Sequence, residues 1–126
     1  NPCADKRVGG LAAIDPFLKL WVPRILHSPA FKKDGLLVIT FDESGSDMTA
    51  CCNEPSGPNT SQPGLSGPGG GRIGALAISP FIKPGTVSDT PLNHYDLLRG
   101  IEDIFGLAPL GYARDAKGLP DIFRRP

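Results

Sequence analysis

The apolar residues of the chain follow two different periods. From Leu36 to Phe41 the run Leu-Leu-Val-Ile-Thr-Phe follows a Gly without alternation, the pattern of a strand buried on both faces of an α/β sheet. Ile73 to Ile78 is a second apolar run and predicts a second strand, parallel to the first if the segment between them crosses over. Helical spacing appears twice. Phe17, Leu18, Trp21, Val22 and Ile25 predict a helix over about 16–26, with Asp15 as cap, Pro16 in the first turn, Pro23 kinking or shortening it, and Trp21 in the core. Leu97, Leu98, Ile101, Ile104 and Phe105 predict a helix over 94–105, capped by Asn93 and stopped by Gly106. Residues 1–13 read as irregular, Ser28-Pro29 as a break, and Lys32 to Gly35 as a polar turn into the first strand. Residues 107–126 read as a surface tail anchored by Leu110, Tyr112 and Phe123.

Composition adds loops to this picture. The 126 residues have room for one domain or a piece of one. Gly at 16 and Pro at 14 are together about twice the usual share, gathered over 55–71 and 80–91, so a long irregular loop is expected over 48–71. Lys and Arg total 13 and Asp and Glu 13, a balance that argues against nucleic acid as a binding partner. No apolar run approaches the roughly 20 residues of a membrane helix. The start, Asn1-Pro2-Cys3, lacks the regions of a signal peptide, so a soluble chain is expected, with any export signal already removed. The three cysteines, Cys3, Cys51 and Cys52, have no C-x-x-C spacing. A bridge from Cys3 to either neighbour, with one half-cystine left for an outside partner, and three unrelated thiols are both open.

The chemistry-bearing residues gather near the strand ends. Asp42 and Glu43 close the first strand at the edge where open α/β sheets bind ligands, and Asp47 follows in a small polar loop. Hard oxygen donors suit divalent cations, and a His adds affinity for zinc, iron or manganese. Adjacent acids on a continuing strand point to opposite faces, so they share a site only if the chain turns there, as Gly45 permits. His94 heads the second helix, where the positive dipole end disfavours the charged ring and keeps it available as a ligand or donor. The plain alternative for the acids is a turn or capping role. Gly67 to Arg72 is not a phosphate loop, because its glycines lead into a strand and no Gly-Lys-Ser/Thr follows. Arg72 reads as solvated, and Ser44 or Ser46 as nucleophile has no G-x-S-x-G elbow behind it.

Leu-Val-Ile-Thr-Phe-Asp-Glu, then Gly-Arg-Ile-Gly-Ala-Leu-Ala-Ile-Ser-Pro-Phe, then Asn-His-Tyr-Asp-Leu-Leu-Arg-Gly-Ile-Glu-Asp-Ile-Phe-Gly-Leu resembles the bacterial phosphoesterase family of phospholipases C and AcpA-type acid phosphatases, in the alkaline phosphatase superfamily. The resemblance covers most of 16–115. It implies an α/β fold: a partial alkaline-phosphatase-like sheet with parallel strands flanked by helices, and residues 1–126 as the C-terminal part of one phosphoesterase domain. It also implies Asp42 and Glu43 as ligands of a divalent metal, and His94 as a catalytic residue. Two departures stand out. Many members carry an Asp-His pair after the acids, where this chain has Ser46-Asp47 and no His. The family's N-terminal half, with its Glu-Asn motif and Ser or Thr nucleophile, has no counterpart here.

The resulting expectation is metal-dependent hydrolysis of phosphate esters by a full-length enzyme, with this chain inactive alone. Its partners would be the ester substrate and the missing N-terminal half. Ala50-Cys51-Cys52 resembles exported actinobacterial members and implies a secreted or cell-envelope bacterial protein. The alternative is a non-catalytic binding or assembly module with a structural ion site.

Overall fold

The computed structural model describes residues 10–44, 49 and 69–120. The cysteines, Ser46, Asp47, Phe123 and most of the loop expected over 48–71 lie outside them. Five elements and a 3-10 turn follow in order: α1 (Leu11–His27), α2 (Pro29–Asp34), β1 (Leu37–Thr40), β2 (Ala75–Ile78), α3 (His94–Phe105) and a 3-10 helix over Gly111–Asp115. They pack as three neighbouring pairs, α1 with α2, β1 with β2, and α3 with the 3-10 helix.

Helix α1 begins at Leu11, earlier than the Asp15 cap predicted. Ala12 and Ala13 are strong helix formers, and the N–H groups of Ala13 and Ile14 donate to the Gly10 carbonyl at 3.1 and 3.3 Å. Pro16 and Pro23 both lie within the helix, which continues to His27. There the ring Nδ1–H donates to the Pro23 carbonyl at 2.7 Å, a side-chain donor serving a last-turn carbonyl. Ser28 ends one helix and starts the next. Its hydroxyl donates to Ile25 O at 2.7 Å and accepts from Phe31 N–H at 3.2 Å. Pro29 follows at the first position, so the expected polar turn is a short helix instead. Trp21 is not core: it is 44% exposed, with Phe17 at a ring separation of 6.3 Å and the Arg24 guanidinium 5.3 Å from its centroid.

The two strands pair antiparallel, with Leu37 opposite Ile78 and Thr40 opposite Ala75, which corrects the parallel arrangement expected. The reason is the path on either side. Thr40 Oγ1 donates to Gly74 O at 3.0 Å and Ser44 N–H to Gly70 O at 2.7 Å, so residues 70–74 run back along 40–44. A chain that returns in this way needs no crossover. With two strands in the sheet among the described residues, β1 is half-buried along its length rather than buried on both faces.

Helix α3 has the predicted bounds. Its covered side is not the predicted apolar face. Asp96, Gly100 and Glu102 are buried, whereas Leu98, Ile101, Ile104 and Phe105 are exposed. The side chains that hold the tail are polar. Asp96 Oδ1 accepts from Lys117 N–H at 2.8 Å, Glu102 Oε1 from Leu110 N–H at 2.9 Å, and Arg99 donates to Arg114 O at 3.2 Å. Ala113 is fully buried, and Leu119 fills the notch left by Gly100. Leu110 and Tyr112 are exposed, though Tyr112 meets Tyr95 edge to face at 5.5 Å.

Candidate active site

Strand β1 ends at Thr40, and Asp42 and Glu43 occupy a bend directly after it. The bend frees them from the opposite-face rule of a strand. Asp42 Oδ1 accepts the Glu43 N–H at 3.1 Å, so one carboxylate oxygen also holds the turn. Both side chains are exposed. Ser44 is half-buried beside them.

The start of α3 is fixed by a capping box. The Asn93 side chain accepts from Tyr95 N–H at 2.9 Å and Asp96 N–H at 3.1 Å, and the Asp96 carboxylate accepts from Asn93 N–H at 2.9 Å. This places His94, the first helical residue, with Nε2 at 2.9 Å from the backbone oxygen of Asp42. A carbonyl oxygen only accepts, so Nε2 carries a proton and donates it. In the neutral ring Nδ1 is then the nitrogen left to accept or ligate.

Around this contact lies a cleft of about 730 Å³. Asp42 and His94 line it, as do Thr49, Arg72, Ser88, Asp89 and Thr90. Apolar walls come from Val38, Ile73, Leu76, Leu92, Leu97 and Leu119. The structure thus brings two of the three predicted site residues to one cavity. Glu43 is not on its lining; a Cβ added to Gly70, which does line it, would sit 3.6 Å from Glu43 Cβ. That is an ordinary contact distance, so Gly70 lies beside Glu43 without the approach demanding a glycine.

Among the described residues, no three His, Cys, Asp or Glu side chains converge closely enough to hold a metal ion. Asp42 and Glu43 are hard oxygen donors suited to a divalent cation, so the donor chemistry fits while the number of ligands falls short of a closed shell.

Arg72 is exposed, as the sequence reading expects, and still lines the cleft; Asp89, from the Pro-rich stretch over 80–91, is a lining residue that the sequence reading does not single out. The density of Thr86, Ser88, Asp89 and Thr90 just ahead of the Asn93 cap is the signal that marks that stretch as a wall of the cleft.

A family model described as the phosphoesterase family matches residues 10–108, taking in every element from α1 through α3. The chain belongs to the phosphoesterase family. Asp42, Arg72, Asp89 and His94 all fall within the match. Over 52 residues the chain is 35% identical to a phosphatidylinositol-3-phosphatase of Mycobacterium tuberculosis (strain ATCC 25618 / H37Rv), a stretch covering 41% of this chain. The same stretch spans 17% of that relative's length. No solved structure matches. The family read from the acid pair, the strand ending in Ser-Pro-Phe and the Asn-His-Tyr helix start is thereby shown.

Proposed function

We propose that the chain carries one part of the active site of a metal-dependent phosphoesterase, acting on phosphate mono- or diesters that include phosphorylated lipid headgroups. The observation that carries this reading is the hydrogen bond from His94 to the Asp42 backbone, which brings the end of β1 and the start of α3 to one cleft. Asp42 and Glu43 would hold a divalent cation, which when bound neutralises charge on the phosphoryl oxygens. His94, oriented through Nε2, offers Nδ1 toward metal or phosphate. Arg72 adds a permanent cation to a cavity that must accept an anion. The phosphatidylinositol-3-phosphatase supports a lipid headgroup as one substrate class. The nucleophile and the remaining ligands would come from the N-terminal part of a longer enzyme, and the Ala50-Cys51-Cys52 resemblance supports an exported one.

A second reading has its own support. Asp42 Oδ1 already serves the turn at 3.1 Å, as a purely structural acid in a non-catalytic binding module would.

Hydrolysis of a chromogenic phosphate ester with added divalent metals separates the two. The 126-residue chain is expected to be inactive, an N-terminally extended protein active, and Asp42→Ala in the extended protein slower in kcat/KM by about a hundredfold or more. An inactive extended protein, or an Asp42→Ala rate equal to its parent's, overturns the enzyme reading. Turnover by the short chain alone overturns the claim that its site is partial.

A further inference from the structure

The stretch between β2 and α3 has no regular structure, yet it forms one wall of the cleft and brings Ser88, Asp89 and Thr90 to its lining. The two hydroxyls are ordered relative to each other. Ser88 Oγ–H donates to Thr90 Oγ1 at 3.1 Å, and Thr90 N–H donates to Ser88 Oγ at 3.3 Å. That arrangement uses the Ser88 proton and leaves the Thr90 hydroxyl proton to point elsewhere, polarised by the bond it accepts. Asp89 beside it is an acceptor when ionised. This wall therefore pairs one donor with one carboxylate acceptor.

A carboxylate repels a phosphoryl group unless a cation stands between them, and in this reading the cation is held at Asp42 and Glu43, which leaves Asp89 for another part of the substrate. Two kinds of group suit it: a cation, or hydroxyls that donate. Quaternary ammonium groups are held by aromatic faces, and no Phe, Tyr or Trp stands among the described residues lining the cleft. A diol supplies a donor for Asp89 and an acceptor for Thr90 at once. Resting on the phosphoesterase reading of Asp42 and His94, we propose that Ser88, Asp89 and Thr90 form a subsite for the hydroxyl-bearing part of the substrate, a polyol attached to the phosphate.

The test uses the full-length enzyme containing this chain, with glycerol phosphate or inositol phosphate as the polyol ester, and phosphocholine and p-nitrophenyl phosphate as esters without a diol. Asp89→Asn and Thr90→Val are each expected to raise KM for the polyol ester about tenfold, leaving kcat for it and KM for p-nitrophenyl phosphate unchanged. Thr90→Val keeps the side-chain shape, so the proposal does not hang on one carboxylate variant. Equal losses on all three esters would assign the wall a structural role and overturn the proposal. So would unchanged KM values, or a larger loss on phosphocholine, which would mark Asp89 as a cation site. Failure of the unsubstituted enzyme to hydrolyse any of the esters overturns the phosphoesterase reading, and this one with it.

Discussion

Glu102 is 2% exposed and divides its carboxylate unevenly: Oε1 accepts the Leu110 N–H at 2.9 Å, and Oε2 is buried with no hydrogen-bond partner among the described residues. A buried acceptor that meets one need and leaves one atom unserved is tolerated when the bond it makes is costly to lose. Removing the side chain strands the Leu110 N–H and opens a cavity. Glu102→Ala is therefore expected to destabilise the chain by about 2–3 kcal/mol, whereas Glu102→Gln keeps the acceptor, removes a buried charge, and should lie within about 1 kcal/mol of the parent. Urea unfolding followed by circular dichroism checks the order; equal losses from both variants would show that the charge itself matters. The same residue explains a limit of sequence reading. Leu110 and Tyr112 were expected to anchor the tail by their apolar side chains, but what holds Leu110 is its backbone N–H. Backbone donors and acceptors have no residue signature, and for that reason the Asp42 carbonyl beside His94 was equally illegible although both residues had been singled out.

Helix α3 was legible because its signals are local: Asn93 and Asp96 make the capping box, and Gly106 takes the left-handed φ of 63° that ends the helix. Its covered side was not, since apolar periodicity names a face without naming the neighbour. The neighbour is the tail, which Asp96, Arg99 and Glu102 hold through its backbone, with Leu119 seated over Gly100. The strand direction was illegible for a related reason: a run such as Leu36–Phe41 looks the same in either pairing, and the path of 70–74 back along 40–44 is tertiary. Gly100 turns this into a prediction. In a helix interior Gly→Ala ordinarily stabilises by about 1 kcal/mol, but here the new Cβ would collide with the Leu119 side chain. Gly100→Ala is expected to lower stability by about 1–2 kcal/mol, and pairing it with Leu119→Ala should recover part of the loss. A rise in melting temperature for Gly100→Ala alone would show that the tail yields to the helix.

Across the whole molecule, apolar side chains that the patterns assigned to a core are on the outside. Leu11, Phe17, Leu20, Trp21 and Ile25 are exposed along α1, Phe105 is 72% exposed at the end of α3, and α1 buries none of its residues. Singly exposed apolar residues are ordinary, but five along one helix make a surface suited to burial against another body. Under the proposed function, that body would be the rest of a phosphoesterase domain. This gives a measurement independent of catalysis. The 126-residue chain is expected to bind a hydrophobic dye such as ANS and to self-associate in a concentration-dependent way, and the N-terminally extended protein to do neither. Phe17→Ser with Trp21→Ser should lessen dye binding by the short chain and, where the covering domain buries the same side chains, destabilise the extended protein by several kcal/mol. Dye binding by the extended protein equal to that of the short chain would mean that α1 keeps its apolar stripe in water, and would leave the claim of a partial site resting on the acid pair alone.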